Sequence, residues 1–159
     1  MKNKIYTAIG LMSGTSMDGV DLSLIKSDGY DKFSCILNDY TEFDNELQKK
    51  LINLRNKLFS EKDLEKNLNE LIDIEREYTL FISKIIDKTL RNYKDQIDLI
   101  GFHGQTIFHN PKIKITKQLG DGKLLSKLTK KIVINDFRQK DLINGGQGAP
   151  LTPVFHKLI

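Results

Sequence analysis

Cysteine occurs once in the 159 residues, at position 35. A lone thiol forms no internal disulfide and no cysteine-based metal site, which fits a reducing, cytoplasmic setting. Cys35 sits in an alternating apolar stretch, so it is expected as a small core residue rather than a nucleophile. Long apolar runs are also missing. None approaches the ~20 residues that span a bilayer, and no membrane partner is expected. Lys2-Asn3-Lys4 ahead of Ile5 to Met12 imitates a signal peptide, but Asp18 and Asp21 follow closely and no small-x-small cleavage site is present. Arginine is scarce, limited to Arg55, Arg76, Arg91 and Arg138. The basic balance, net charge +4, therefore rests on lysine. Such an excess can mark a nucleic-acid surface. Here the lysines interleave with acids, as in Glu61-Lys62-Asp63 and Glu65-Lys66, and the densest stretch, Lys112 to Lys131, contains no aromatic residue. The charge reads as a solvated face, and no nucleic-acid partner is expected.

The chain holds 39% hydrophobic and 29% charged residues, enough for one packed domain of ordinary size. No internal repeat, low-complexity tract or linker interrupts it. Lys4 to Met12 and Val20 to Ile25 read as strands joined by a turn rich in glycine and hydroxyls. Asp28-Gly29 marks a second turn, and Lys32 to Asp39 a third strand, which together predict an antiparallel meander. The period then changes. Leu47, Leu51, Leu54 and Leu58 share a helical face, with Asp44 as its cap. Ser60 to Asp63 resembles a capping box that opens one long amphipathic helix running toward Arg91. Gln96 to Phe102 reads as a buried parallel strand. Ile113 and Ile115 fit a short strand or hairpin, Lys123 to Thr129 a short helix, and Lys131 to Asn135 a last strand. The tail from Phe137 to Pro153 is rich in Gly, Gln and Pro. This order predicts an α/β domain with a mixed sheet and flanking helices.

Four segments carry chemistry-bearing residues. The first turn, Ser13-Gly14-Thr15-Ser16-Met17-Asp18-Gly19, combines glycines that let backbone N–H groups approach an anion with three hydroxyls. It matches neither a Walker A loop nor a Rossmann fingerprint. Gly14 to Met17 also occurs around the nucleophile of subtilisin-like proteases. There, however, Asp and His precede a serine that starts a helix, and here neither precedes Ser16. His103-Gly104-Gln105-Thr106 follows the buried strand, where Gln and Thr can bond sugar hydroxyls or an acetamido group. A core histidine is an equally good reading. His109 and His156 lack metal-ligand spacing with it, so no metal site is predicted. Asp136-Phe137-Arg138 follows the last strand. Its acid is expected to be partly desolvated yet ionised, and a strand-end turn is the plainer alternative. Ligands of open α/β sheets bind beyond the C-terminal strand ends, and His103 and Asp136 both fall there. Gly145-Gly146-Gln147-Gly148-Ala149-Pro150 is either a flexible loop or a tight backbone cradle.

Together, Gly10 to Asp21, Gly101 to Thr106, Asp136 to Arg138, Asp141 and Gly145 to His156 resemble the anhydro-N-acetylmuramic acid kinase family in content, order and spacing. The resemblance covers nearly the whole chain. It implies an actin-like, Hsp70-like and sugar-kinase (ribonuclease H-like) fold with two lobes and ATP between them. It also implies conversion of 1,6-anhydro-N-acetylmuramic acid, ATP and water to N-acetylmuramic acid 6-phosphate and ADP in peptidoglycan recycling, with Mg²⁺ accompanying the ATP. Gly14, Thr15, Ser16, Met17, Asp18, Gly19, Val20 and Asp21 match the phosphate loop, and Asp136 the catalytic aspartate. His103, Gly104, Gln105, Thr106 and Arg138 are assigned to the sugar. Asp18 either orients a Mg²⁺-bound water or caps the hairpin. Members of the family are more than twice as long, so residues 1–159 are expected to form a truncated N-terminal lobe. A second chain or a second copy would then complete it, drawn by an apolar terminus of Leu151, Val154, Phe155, Leu158 and Ile159. A sugar- or partner-binding remnant without catalysis is the alternative.

Overall fold

The structure, a computed structural model, describes residues 4–152. β1 (Tyr6–Ser13), β2 (Gly19–Ser27) and β3 (Phe33–Glu42) form the antiparallel meander that the turn residues predict. Asp28 shapes the second turn, its Oδ1 accepting the N–H groups of Tyr30, Asp31 and Lys32. β4 (Leu99–Asn110) lies parallel to β1, with Ile9 opposite Ile100 and Leu11 opposite Phe102. The other edge of β4 serves two partners in succession. Its first half pairs in parallel with β6 (Ile132–Asn135), and its second half pairs antiparallel with β5 (Ile115–Leu119).

Five helices accompany this sheet among the described residues: α1 (Asn45–Arg55), α2 (Glu61–Lys66), α3 (Leu68–Asn92), α4 (Gly122–Thr129) and α5 (Gln139–Ile143). Alternation places Ile9, Leu11, Leu22, Leu24, Ile100 and Phe102 on one face, all buried. They meet Leu47, Leu51 and Leu54 of α1 and Leu71, Ile74, Tyr78, Ile82 and Ile86 of α3 in one continuous core. The Tyr78 and Phe102 rings stack with centroids 6.1 Å apart. Each fully buried side chain of this size contributes about 1.5–3 kcal/mol. On the alternate positions, Met12, Ile132 and Ile134 are exposed.

Helix starts follow the sequence. Asp44 accepts the N–H groups of Glu46 and Leu47, and Asp63 accepts that of Ser60 at 2.9 Å. Other expectations need correction. The long helix is broken at Asn67, whose ψ of 19° and bond from Nδ2 to the Asp63 carbonyl end α2. α1 ends at Arg55, although Leu58 is still buried. β4 runs on to Asn110 because its second half finds a new partner in β5, so His103 to Thr106 lie within a strand and not at its end. The tail, for which the sequence predicts no element, contains α5. Cys35 is exposed, because β3 is an edge strand whose Phe33 to Asn38 all face solvent.

Candidate active site

The register of the three parallel strands defines the site. Leu11, Phe102 and Asn135 lie side by side across β1, β4 and β6. Met12, His103 and Asp136 come next in the three strands. The β1–β4 register shifts here, so that Ser13 faces Gln105, and Asp136 lies past the last pairing of β6, while the Ser13 to Gly19 loop begins where β1 ends. Neighbouring strands are ~4.8 Å apart, which puts the loop about 10 Å across the sheet from Asp136. Two concavities meet there. One of ≈ 300 Å³ is lined by His103 and Asp136 together with Glu75, Lys117 and Gln118. The other, of ≈ 660 Å³, is lined by Met12, His103, Phe137, Arg138 and residues 149–152. His103 borders both.

The loop is fixed from beneath. Met17 is 0% exposed and adopts φ +57°. A left-handed backbone costs a non-glycine residue roughly 1–2 kcal/mol, which burial of its side chain offsets. Met17 N–H closes a turn on the Gly14 carbonyl at 3.2 Å. Three carbonyls are held by side chains from outside the loop. Gly14 O accepts from Gln105 Nε2 at 3.0 Å, Thr15 O from Arg55 at 2.8 Å and Met17 O from Gln48 Nε2 at 3.0 Å. The N–H groups of Thr15 and Ser16 have no acceptor among the described residues. Asp18 is exposed, and the Ser16 hydroxyl 2.7 Å away holds its carboxyl below the usual range. Asp21 is exposed on β2, and Val20 is buried.

Ser13, at the base of the loop, bonds to the Gly19 carbonyl at 3.0 Å and contacts Gln105 Oε1. Tyr78 also bonds to Ser13, and burial pushes the Tyr78 hydroxyl upward in pKa. Gln105 is itself 0% exposed, with its amide engaged by Ser13, Gly14 and Thr106. It faces the interior and not either concavity, because the register sets it opposite Ser13. Two glycines assigned to ligand approach answer instead to the chain itself. A Cβ on Gly19 would lie 2.5 Å from the Thr41 carbonyl, and one on Gly104, at φ +79°, 2.3 Å from the Leu119 carbonyl. Thr106 is half-buried, its hydroxyl bonded by Gln118 at 3.3 Å.

His103 and Arg138 are brought together. His103 Nδ1–H donates to the Gly104 carbonyl at 2.7 Å, and Nε2 accepts from Arg138 Nε at 2.8 Å. These partners specify a neutral ring. Burial pushes the His103 pKa down, the Gly104 carbonyl pulls it back, and the Arg138 charge lowers it further. Arg138 continues to the Gly148 carbonyl, while Asp141 accepts the Gly148 N–H at 2.7 Å. The 145–148 glycine segment is thus a held cradle. Asp136 follows β6 at φ +59° and is exposed, not partly desolvated, since it sits past the strand's last pairing. Its carboxylate has no hydrogen-bond or ion-pair partner among the described residues.

Gln48 and Arg55 were not singled out from sequence. They lie on α1, some 30 to 40 residues past the loop, and only their polarity near a buried helical face hinted at a role. Leu151 is 38% exposed, and the remaining apolar terminus, Val154 to Ile159, lies outside the described residues, as does His156. Among the described residues no group of three or more His, Cys, Asp or Glu side chains converges on a common point, and no helix is long and apolar enough to cross a membrane.

A sequence profile of anhydro-N-acetylmuramic acid kinase matches residues 6–159. The chain is 53% identical over 156 residues to the anhydro-N-acetylmuramic acid kinase of Pelagibacter ubique, covering 98% of this chain and 42% of that protein. It is 40% identical to the protein of the same name from Rhizobium etli and 38% identical to that of Agrobacterium fabrum, in each case over 96% of this chain and 42% of the relative. The chain thus spans less than half the length of these curated relatives. With a profile matched along almost its full length, the chain belongs to the anhydro-N-acetylmuramic acid kinase family.

Proposed function

We propose that the chain is the N-terminal lobe of a two-lobe kinase that opens 1,6-anhydro-N-acetylmuramic acid and phosphorylates it at O6 with ATP. The observation that carries this reading is that Met12, His103 and Asp136, at the ends of their parallel pairing, line two concavities that share His103, with the loop starting just past Met12. A carboxylate free of partners stands about two strands from a loop with unpaired N–H groups. Asp136 acts as general base on the water that attacks C1. The C1–O6 bond breaks, and O6 takes the γ-phosphoryl group instead of a proton, so the second carboxylate of a glycosidase is not needed. The loop N–H groups receive the phosphates. His103 and Arg138 border the sugar cleft and hold the glycine cradle over it. Mg²⁺, when bound, neutralises phosphate charge. Asp18, within the loop, and Asp21, just past it, are exposed carboxylates, and a Mg²⁺ carried by the nucleotide keeps much of its water. The length ratio to the relatives, 42%, favours one second reading, a lobe that binds ligand and needs a partner polypeptide for turnover.

The test combines the purified chain with ATP, Mg²⁺, the anhydro sugar and ¹⁸O-water, with and without a polypeptide spanning the relatives' remaining length. Turnover on mixing, label on C1 and none in the phosphate, and loss of about 10²- to 10⁴-fold in rate with Asp136→Asn are expected. Label in the phosphate, or an Asp136→Asn assembly as fast as the parent, overturns the mechanism. Ligand binding without turnover in either mixture supports the second reading.

A further inference from the structure

The loop's three outside contacts share one property: each is a side-chain donor holding a backbone carbonyl. Across a trans peptide the C=O and the following N–H point in opposite directions. Gln105 draws the Gly14 carbonyl toward the interior, so the Thr15 N–H is turned away from it. Arg55 draws the Thr15 carbonyl toward α1, which turns the Ser16 N–H away from α1. Gln48 draws the Met17 carbonyl the same way. The N–H groups of Thr15 and Ser16, which have no acceptor among the described residues, follow the carbonyls held by Gln105 and Arg55, and the Asp18 N–H follows the one held by Gln48. Their outward aim is therefore imposed and does not follow from glycine content alone.

We infer that Gln48, Arg55 and Gln105 are positioning residues that hold the loop carbonyls inward and so preform an anion cradle of backbone N–H groups. The inference rests on the reading of Gly14 to Asp21 as the phosphate loop. Gln105, assigned from sequence to the sugar, thereby takes a different role. It is buried, its bonds to Ser13 and Gly14 cross from β4 to β1, and it is 91 residues distant in sequence from the carbonyl it holds. Preformation matters because an anion then meets donors already oriented, with no loop ordering to offset. Gln48 and Arg55 reach the loop from a helix packed on the core through Leu47, Leu51 and Leu54. Motion of α1 would thus be felt at the cradle.

The experiment uses the ¹⁵N-labelled 159-residue chain and inorganic tripolyphosphate, following the Thr15, Ser16 and Asp18 amide signals. Gln48→Met is the principal variant. It keeps chain length and net charge, suits a helix, and removes only the donor. Losing one such bond should weaken tripolyphosphate about fivefold, shift the Asp18 amide before any ligand is added, and leave the urea midpoint unchanged. Gln105→Met should weaken it at least as much. If that variant fails to fold, Gln48→Met decides alone. A Gln48→Met chain that binds like the parent with unshifted loop amides overturns the inference. If the parent itself binds no tripolyphosphate, the phosphate-loop reading fails separately, and the ligand-free amide shifts still decide whether the loop is positioned from α1.

Discussion

His103 shows how one residue can look catalytic in sequence and be occupied in the fold. Both its nitrogens are committed, one to its neighbour's carbonyl and one to Arg138. Adding a proton to Nε2 would set a donor against the Arg138 guanidinium and break the link toward Gly148. The folded-state pKa is depressed below the ordinary value of about 6.5. Between those two values the unfolded chain binds more protons, so stability rises with pH. The contribution is complete above about pH 6.5 and is lost as pH falls through the folded value. Urea midpoints measured across this range should climb with pH, and His103→Gln should flatten the climb. An equal slope in the variant would show that the ring titrates elsewhere. The histidine was visible in sequence as a polar group just past the end of a buried strand. Its engagement was not, because Arg138 lies 35 residues further on and reaches it only through the β4–β6 pairing.

Elements that announce themselves by local rules were legible. The meander follows from turn residues, α1 from its four-residue leucine spacing, and both helix starts from their caps. What the sequence hid was non-local. β4 changes partner halfway, from β6 to β5, and Gly104 stands at the changeover with φ +79°. A side chain there would need a strained backbone and would also collide with the Leu119 carbonyl at 2.3 Å. Backbone cannot yield as a flexible side chain does. Gly104→Ala is therefore expected to lose more than about 2 kcal/mol of unfolding free energy, with amide exchange quickening first in β5. A loss below half a kilocalorie per mole, measured by denaturant titration, would mean that the hairpin shifts freely. Asn67 was hidden in another way. Its place within a regular apolar rhythm read as helix, while its side chain caps the preceding turn and divides α2 from α3.

At the scale of the molecule, the two faces of the sheet differ. One is packed under α1 and α3. Alternate positions on the other carry Ile132 at 67%, Met12 at 49% and Ile134 at 46% exposure, with Phe137 beside them at 39%. β6 lies next to the concavities that Met12, His103 and Asp136 line, and among the described residues β4 is its one strand partner. An apolar strip adjoining a site is a surface that water covers at a cost, and it invites cover by polypeptide. The curated relatives have more than twice this length, of which the chain matches 42%. If the proposed two-lobe assembly forms, a polypeptide spanning their remaining length is expected to bury this strip. On mixing, the amides of Ile132 to Asn135 should gain protection from hydrogen exchange and the Ile132 and Ile134 methyl signals should move. Exchange in the turn at Asp28, remote from the site, should stay unchanged. Ile134→Lys places a charge in the strip without touching the packed face, so it should weaken assembly while leaving the chain's own urea midpoint nearly unaltered. Turnover in the mixed sample should fall in proportion to the assembly lost and be recovered at higher concentrations of the second polypeptide. Assembly that proceeds with unaltered β6 exchange and tolerates Ile134→Lys would assign the contact to another surface.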